Sequence, residues 1–201
     1  MAYNTVIVFT AGNTLPAADL NSNFANLDYL RYLVNAQFIL LGAAMWASAT
    51  SGASNSGAVE MTTNKNNHSF MDFSDSGGKL YAEIVFPMPA DYNGGTITAV
   101  FHWTANSTST NSVVWGIQGV SRADDDALDV AFGTAQEVSD ANKATAYDLN
   151  VTSATPAITL SGTPVAGEVV NWRIYRDSAN GSDTLAATAR LIAVVINYTR
   201  S

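Results

Sequence analysis

The chain has 201 residues, of which 47% are hydrophobic and only 13% charged, so its polar surface rests on Asn, Thr and Ser. Nine Lys plus Arg against 17 Asp plus Glu leave a formal net charge of -8, which repels phosphate backbones and argues against nucleic-acid binding. The lack of Cys excludes disulfides, thiolate zinc sites, iron–sulfur clusters and cysteine nucleophiles, and two histidines, His68 and His102, are too few for a multi-histidine metal site.

The first predicted element is a helix from about Pro16 to about Asn35, where Leu20, Phe24, Leu27, Leu30 and Val34 recur at spacings of three and four and form one apolar stripe. Pro16 suits a first helical turn, Thr14 lies where a cap could form, and Asp19 favours the positive end of the helix dipole. Asn21, Asn23 and Asn26 weaken the helix, so its stripe needs a docking partner, its own domain or other subunits. The chain opens without a basic leader. Its longest mostly apolar stretch, Gln37 to Ala49, is too short for a bilayer, so no membrane insertion is expected and assembly in a cytoplasm is.

Residues 1–46 therefore read as an N-terminal attachment and oligomerisation segment. Residues 47–58, rich in Ser, Gly, Ala and Thr, read as a linker or loop, and residues 59–201 as a β domain. From Val59 onward the pattern has period two, as in Leu80, Ala82, Ile84 and Phe86 or Ile97, Ala99, Phe101 and Trp103. Strands are expected at 58–62, 69–73, 79–86, 96–103, 113–120, 146–151, 157–160, 168–176 and 189–198. Turns are expected at Asp91 to Gly95 and Ser161 to Pro164, and a hairpin at Asp75 to Gly78. The expected fold is mainly β: an antiparallel, jelly-roll-like β-sandwich preceded by a short N-terminal helix. An immunoglobulin-type sandwich is the competitor, but it needs only about 100 residues.

The usual catalytic constellations are missing from the sequence. It has no Gly-x-Ser-x-Gly elbow and no Walker spacing, His68 reads as a polar-turn side chain, and His102 reads as a sheet-surface residue. Glu60, Glu83, Glu137 and Glu168 are the only glutamates, and none lies in a motif that pairs carboxylates. Asp124-Asp125-Asp126 with Asp129 is the densest acidic cluster. Its plain reading is an exposed loop. Its sharper reading is a calcium site through Asp124, Asp126 and Asp129, although Leu128 breaks the EF-hand pattern. Trp103, Trp115 and Trp172 alternate in phase with apolar neighbours and read as core, whereas Arg173 and Tyr175 face the other way, toward a partner chain or a ligand. No cofactor is expected.

The opening segment Phe9-Thr10-Ala11-Gly12-Asn13-Thr14-Leu15-Pro16-Ala17-Ala18-Asp19-Leu20-Asn21-Ser22-Asn23-Phe24 resembles the start of tailed-bacteriophage virion proteins such as tail fibres: an aromatic, a glycine turn, a leucine, then a short helix with Leu-Asn-x-Asn-Phe. Phe86 to Gly95, Ser182 to Leu185 and Ala189 to Leu191 are similar to segments of phage structural proteins. The resemblance implies a non-enzymatic virion component, a homotrimeric fibre, spike or head-decoration protein. Its N-terminal segment would join a capsid, portal or tail protein, and its sandwich would face outward. The alternative is a carbohydrate-binding module that attaches to a host-surface glycan, and a third reading is a glycan-cleaving enzyme working through two carboxylates.

Overall fold

The computed structural model describes residues 36–49 and 52–200. The helix predicted at 16–35, with Leu20, Phe24, Leu27, Leu30 and Val34, lies outside the described residues. Residues 37–201 form one compact unit.

Among the described residues eleven strands make two sheets: β1 (Ala36–Gly42), β2 (Ala47–Ser48), β3 (Ser54–Glu60), β4 (Asn67–Phe73), β5 (Lys79–Pro87), β6 (Tyr92–Ala105), β7 (Ser112–Arg122), β8 (Gln136–Ala141), β9 (Asn150–Val151), β10 (Val169–Asp177) and β11 (Ala189–Arg200). Sheet A has the order β3-β4-β11-β6-β9, with β1 also on β11, and sheet B the order β2-β5-β10-β7-β8. Counting β4 to β11 as one to eight gives the orders 1-8-3-6 and 2-7-4-5, the chain wrapping of a jelly roll. The expected mainly-β, jelly-roll-like sandwich is therefore the observed fold.

The period-two residues face each other across the sandwich, as their alternation predicts. Trp103, Trp115, Trp172, Phe73, Phe101 and Ile174 are all fully buried. The Trp115 ring stacks on Phe101 at 5.4 Å and meets the Phe73 ring edge-on at 5.0 Å, and Phe86 stacks on Trp172 at 5.9 Å. Each large side chain so buried contributes about 1.5–3 kcal/mol.

Several boundaries differ from the sequence reading. The sandwich begins before residue 59: β1 joins sheet A, β2 joins sheet B opposite Ala82 and Glu83, and Trp46 and Ala53 belong to the core, so residues 47–58 are not a free linker. Asn93-Gly94-Gly95 is not a turn but the start of β6. The Asn93 side chain donates to Arg200 O at 2.9 Å and accepts from Thr199, drawing these residues into register with the end of β11. Asp75 to Gly78 is not a hairpin, because β4 and β5 lie in different sheets and the segment crosses between them. The expected strand at 157–160 is an extended segment beside β6. Thr152, Thr155 and Ile158 donate to Phe101, Ala99 and Ile97 carbonyls, and Thr152 and Thr155 hydroxyls accept the Phe101 and Ala99 N–H groups. Contacts every third residue, closed by hydroxyls, satisfy the β6 edge without a regular ladder.

Arg176, near the end of β10, lies wholly inside this sandwich. It pairs with Asp183 through Nε at 2.9 Å and Nη2 at 2.7 Å, and it donates to the carbonyls of Phe73, Ala187 and Leu185, so all five guanidinium N–H groups are used. Replacing Asp183 with Ala strands a charge with 0% side-chain exposure. It should lower stability by about 3–5 kcal/mol, read as a shift of the urea midpoint with the m-value unchanged.

Candidate functional site

Of the side chains predicted to face a ligand, Tyr175 turns out to be covered, at 1% exposure. The reason lies across the ladder at Gly116, its register partner, where a Cβ would stand 2.2 Å from the Tyr175 ring. The missing side chain lets the ring lie flat on β7. Lys79 Nζ stands 4.2 Å from that ring, Tyr81 meets it edge-on, and the Tyr175 hydroxyl donates to Glu137 at 2.7 Å. Arg173 stays half-buried but is engaged on both sides. Glu83 holds it at 2.6 Å, and the Phe132 ring lies 4.0 Å away. Around Arg173 and Glu137 the outer face of sheet B is thus a set of charges that satisfy one another.

Burial, and then the bond to Glu137, raises the Tyr175 phenol above its ordinary value of 10.0. A group whose folded pKa is raised gives stability that is complete below the unfolded pKa and lost as pH rises past it. Stability should therefore hold through neutral pH and fall above about pH 10. In Tyr175→Phe that alkaline fall should flatten, measured as melting temperature against pH.

The acidic stretch is an exposed loop between β7 and β8. Asp126 accepts the Ala123 N–H at 2.8 Å, and Asp125 takes a left-handed backbone, φ 70°. Among the described residues no three acidic or imidazole side chains gather at metal distance, Asp124, Asp126 and Asp129 included.

Sheet B carries a hollow of about 780 Å³ lined by Val85, Arg122, Asp124, Leu128, Glu168 and Asn171, but the hollows with an exposed aromatic are on the other sheet. Residues 143–149, between β8 and β9, fold back over the outer face of sheet A, pinned by two buried asparagines. Asn142 Nδ2 donates to the carbonyls of Ser107, Ser109 and Lys143, Asn150 Nδ2 donates to Asn142 Oδ1 at 3.1 Å, and Asn150 Oδ1 accepts Lys143 N–H at 3.0 Å. Tyr147 N–H bonds Ala105 O at 2.8 Å, and Thr104 donates to Asp148 O at 2.7 Å. So held, Tyr147 has φ 66°, a left-handed conformation that is unfavourable for a bulky residue and costs about 1–3 kcal/mol. Its side chain is nonetheless exposed, at 37%.

Two adjoining hollows share Tyr147 and Met61. One, about 390 Å³, runs along the turn between β3 and β4 and is lined by Glu60, Thr62, Thr63, Asn64 and Asn66. The other, about 270 Å³, lies on the sheet face and is lined by His68, Phe70, Thr104, Leu149 and Ile192. Beside them, the Arg190 guanidinium sits between the Phe70 and Tyr147 rings at 5.5 and 5.6 Å, donates to the Tyr147 hydroxyl at 3.4 Å, and pairs with Asp72 at 3.5 Å. Burial raises the Asp72 carboxyl above its ordinary value, the Arg190 charge pulling the other way. His68, read from sequence as a turn residue, is in β4 and stacks on Phe70 at 5.9 Å. The sequence reading missed Tyr147. Its one signal is the pair Asn142 and Asn150 bracketing a short polar stretch.

No family model and no curated protein matches this chain. Among solved structures it is similar to the CBM36-1 domain of a multidomain xylanase from the hindgut metagenome of Trinervitermes trinervoides. That match has 8% identity and a TM-score of 0.42, and it covers 80% of this chain and 96% of that one. It is also similar to a CBM35 from Cellvibrio japonicus, at 10% identity and TM-score 0.43 over 82% and 99% of the two chains. A third is the family 11 carbohydrate-binding module from Clostridium thermocellum, at 12% identity and TM-score 0.36 over 81% and 88%. No helix among the described residues is long and apolar enough to cross a membrane.

Proposed function

We propose that the protein binds carbohydrate, without cleaving it, in the cleft around Tyr147. The observation that carries this reading is Tyr147 itself, an exposed aromatic held in a strained backbone conformation between two hollows, one walled by amides and hydroxyls. A pyranose offers an apolar face of C–H groups and a rim of hydroxyls, and this arrangement matches both, with a ring to stack on and Thr62, Thr63, Asn64 and Asn66 to exchange hydrogen bonds. Binding without cleavage is supported by the carboxylates. Glycoside hydrolysis commonly needs two, and Glu60 is the single one on the two walls, paired with Lys65 at 3.1 Å.

A glycan array with the full-length chain tests the reading, followed by calorimetry on any hit. Tyr147→Ala should weaken binding about ten-fold or more, equivalent to about 1.4 kcal/mol. Unchanged affinity in that variant would move the site elsewhere, and a silent array would remove the reading.

The setting we propose is a tailed-phage particle, with the chain a homotrimer joined to the virion by its first residues and its jelly roll turned to a host surface. The segment Phe9 to Phe24, with its resemblance to virion attachment segments, supports this. Removing residues 1–35 should leave a cooperatively melting β protein, because residues 37–201 form one compact unit, but one that scatters light as a monomer and is no longer incorporated into particles. Incorporation at full occupancy would shift attachment to the sandwich.

A further inference from the structure

We propose that the hollow on the sheet-A face is a seat for an acetamido group, so that the glycan recognised contains an N-acetylated hexosamine; this deepens the carbohydrate reading and rests on it. The two hollows that meet at Tyr147 differ in chemistry. Along the β3–β4 turn Thr62, Thr63, Asn64 and Asn66 put hydroxyls and amides beside Val59 and Met61, which suits a ring bearing free hydroxyls. On the sheet face they are Phe70, Leu149, Ile192 and Met61, with only Thr104 and His68 to hydrogen-bond. A hexose hydroxyl pressed against Leu149 and Ile192 would give up its hydrogen bonds to water and gain none in return.

An acetamido group asks for what this hollow holds. It has a methyl to bury, one N–H to donate and one carbonyl to accept. Thr104, 2% exposed at the floor of the hollow, spends its hydroxyl proton on Asp148 O, so what it presents there is an acceptor. His68, exposed at the rim, carries at least one N–H in either tautomer and can donate to the carbonyl. Leu149, 55% exposed, offers the methyl an apolar contact. The group is also expected to be neutral, because the charges nearest the cleft are already matched: Glu60 by Lys65, and Asp72 by Arg190. At about 270 Å³ the hollow is below the roughly 300 Å³ at which drug-sized pockets begin, enough for a substituent or one ring but not for a chain.

The test is calorimetry of the full-length protein with chito-oligosaccharides and with cello-oligosaccharides of equal length, which share the β1-4 linkage and differ at C2. The acetamido series should bind at least about ten-fold tighter. Leu149→Ser and His68→Ala, both at exposed positions, should each bring the two series closer, with the melting temperature unchanged. If both series bind equally, or if both variants keep the full preference, the acetamido seat is wrong and the carbohydrate reading stands. If neither series binds but an array finds other glycans, those should carry N-acetyl groups, and a set without them also overturns the seat. If no glycan binds at all, the carbohydrate reading itself has failed.

Discussion

Arg176 has no water to turn to, and its five hydrogen bonds reach two separate parts of the chain. It projects from β10 of sheet B, takes the Phe73 carbonyl at the end of β4 in sheet A, and holds Asp183, Leu185 and Ala187 on the connection that leads into β11. One side chain therefore closes the two sheets on each other and fixes where the crossover from β10 to β11 runs. A buried ion pair gains little over a well-packed apolar substitute, so its value here lies in specifying position. The stacked aromatics Phe73, Phe101 and Trp115 supply the burial, and Arg176 determines how the sheets meet around them.

The same carboxylate begins a chain of polar contacts that ends at the cleft. Asp183 accepts Val114 N–H at 3.0 Å. Its neighbour Thr184 accepts Ser112 N–H, and the Thr184 carbonyl accepts from the Asn111 side chain at 2.8 Å. The Asn111 carbonyl then accepts Asn142 N–H, and Asn142 meets Asn150, whose side chain closes the segment that carries Tyr147. Each of these groups is paired with protein rather than left to solvent, which keeps residues 143–149 in one conformation and spares a ligand the entropy of ordering them. The strain at Tyr147 can persist because the bonds around it leave the backbone no easier alternative.

Much of the framework was legible in the sequence because it rests on period two. Ile97, Ala99, Phe101 and Trp103 on β6 and Val170, Trp172 and Ile174 on β10 point inward as their alternation requires, and the jelly roll follows from enough such strands. What escaped was set by partners distant in sequence. Asn93 to Gly95 carry turn chemistry and became strand because Thr199 and Arg200 captured them. Tyr175 alternates outward as expected, yet it is buried, because Gly116, 59 positions away, leaves room for its ring. The site was the least legible part. A left-handed tyrosine has no sequence signature, and its support, the Asn142–Asn150 pair, is two common residues whose meaning depends on the fold.

The two outer faces of the sandwich offer a ligand unequal terms. On sheet B, any group that approached Arg173 or Glu137 would compete with bonds already made. Glu83 holds Arg173, and Lys79, Tyr175 and Asn180 all converge on Glu137. Breaking such half-buried pairs exposes charge in a place where solvent only partly replaces the partner, so a neutral ligand has little to gain at those two residues. On sheet A, the charged pair Arg190–Asp72 lies beside the aromatic rings and can remain intact while the space around Tyr147 fills. The guanidinium is attracted to the faces of Phe70 and Tyr147, stiffening both, and leaves the hollows with hydroxyl, amide and apolar walls. The paired charges around Arg173 and Glu137 stabilise the sandwich, whereas the Tyr147 cleft, with its charges beside the cavity, remains free to bind something uncharged.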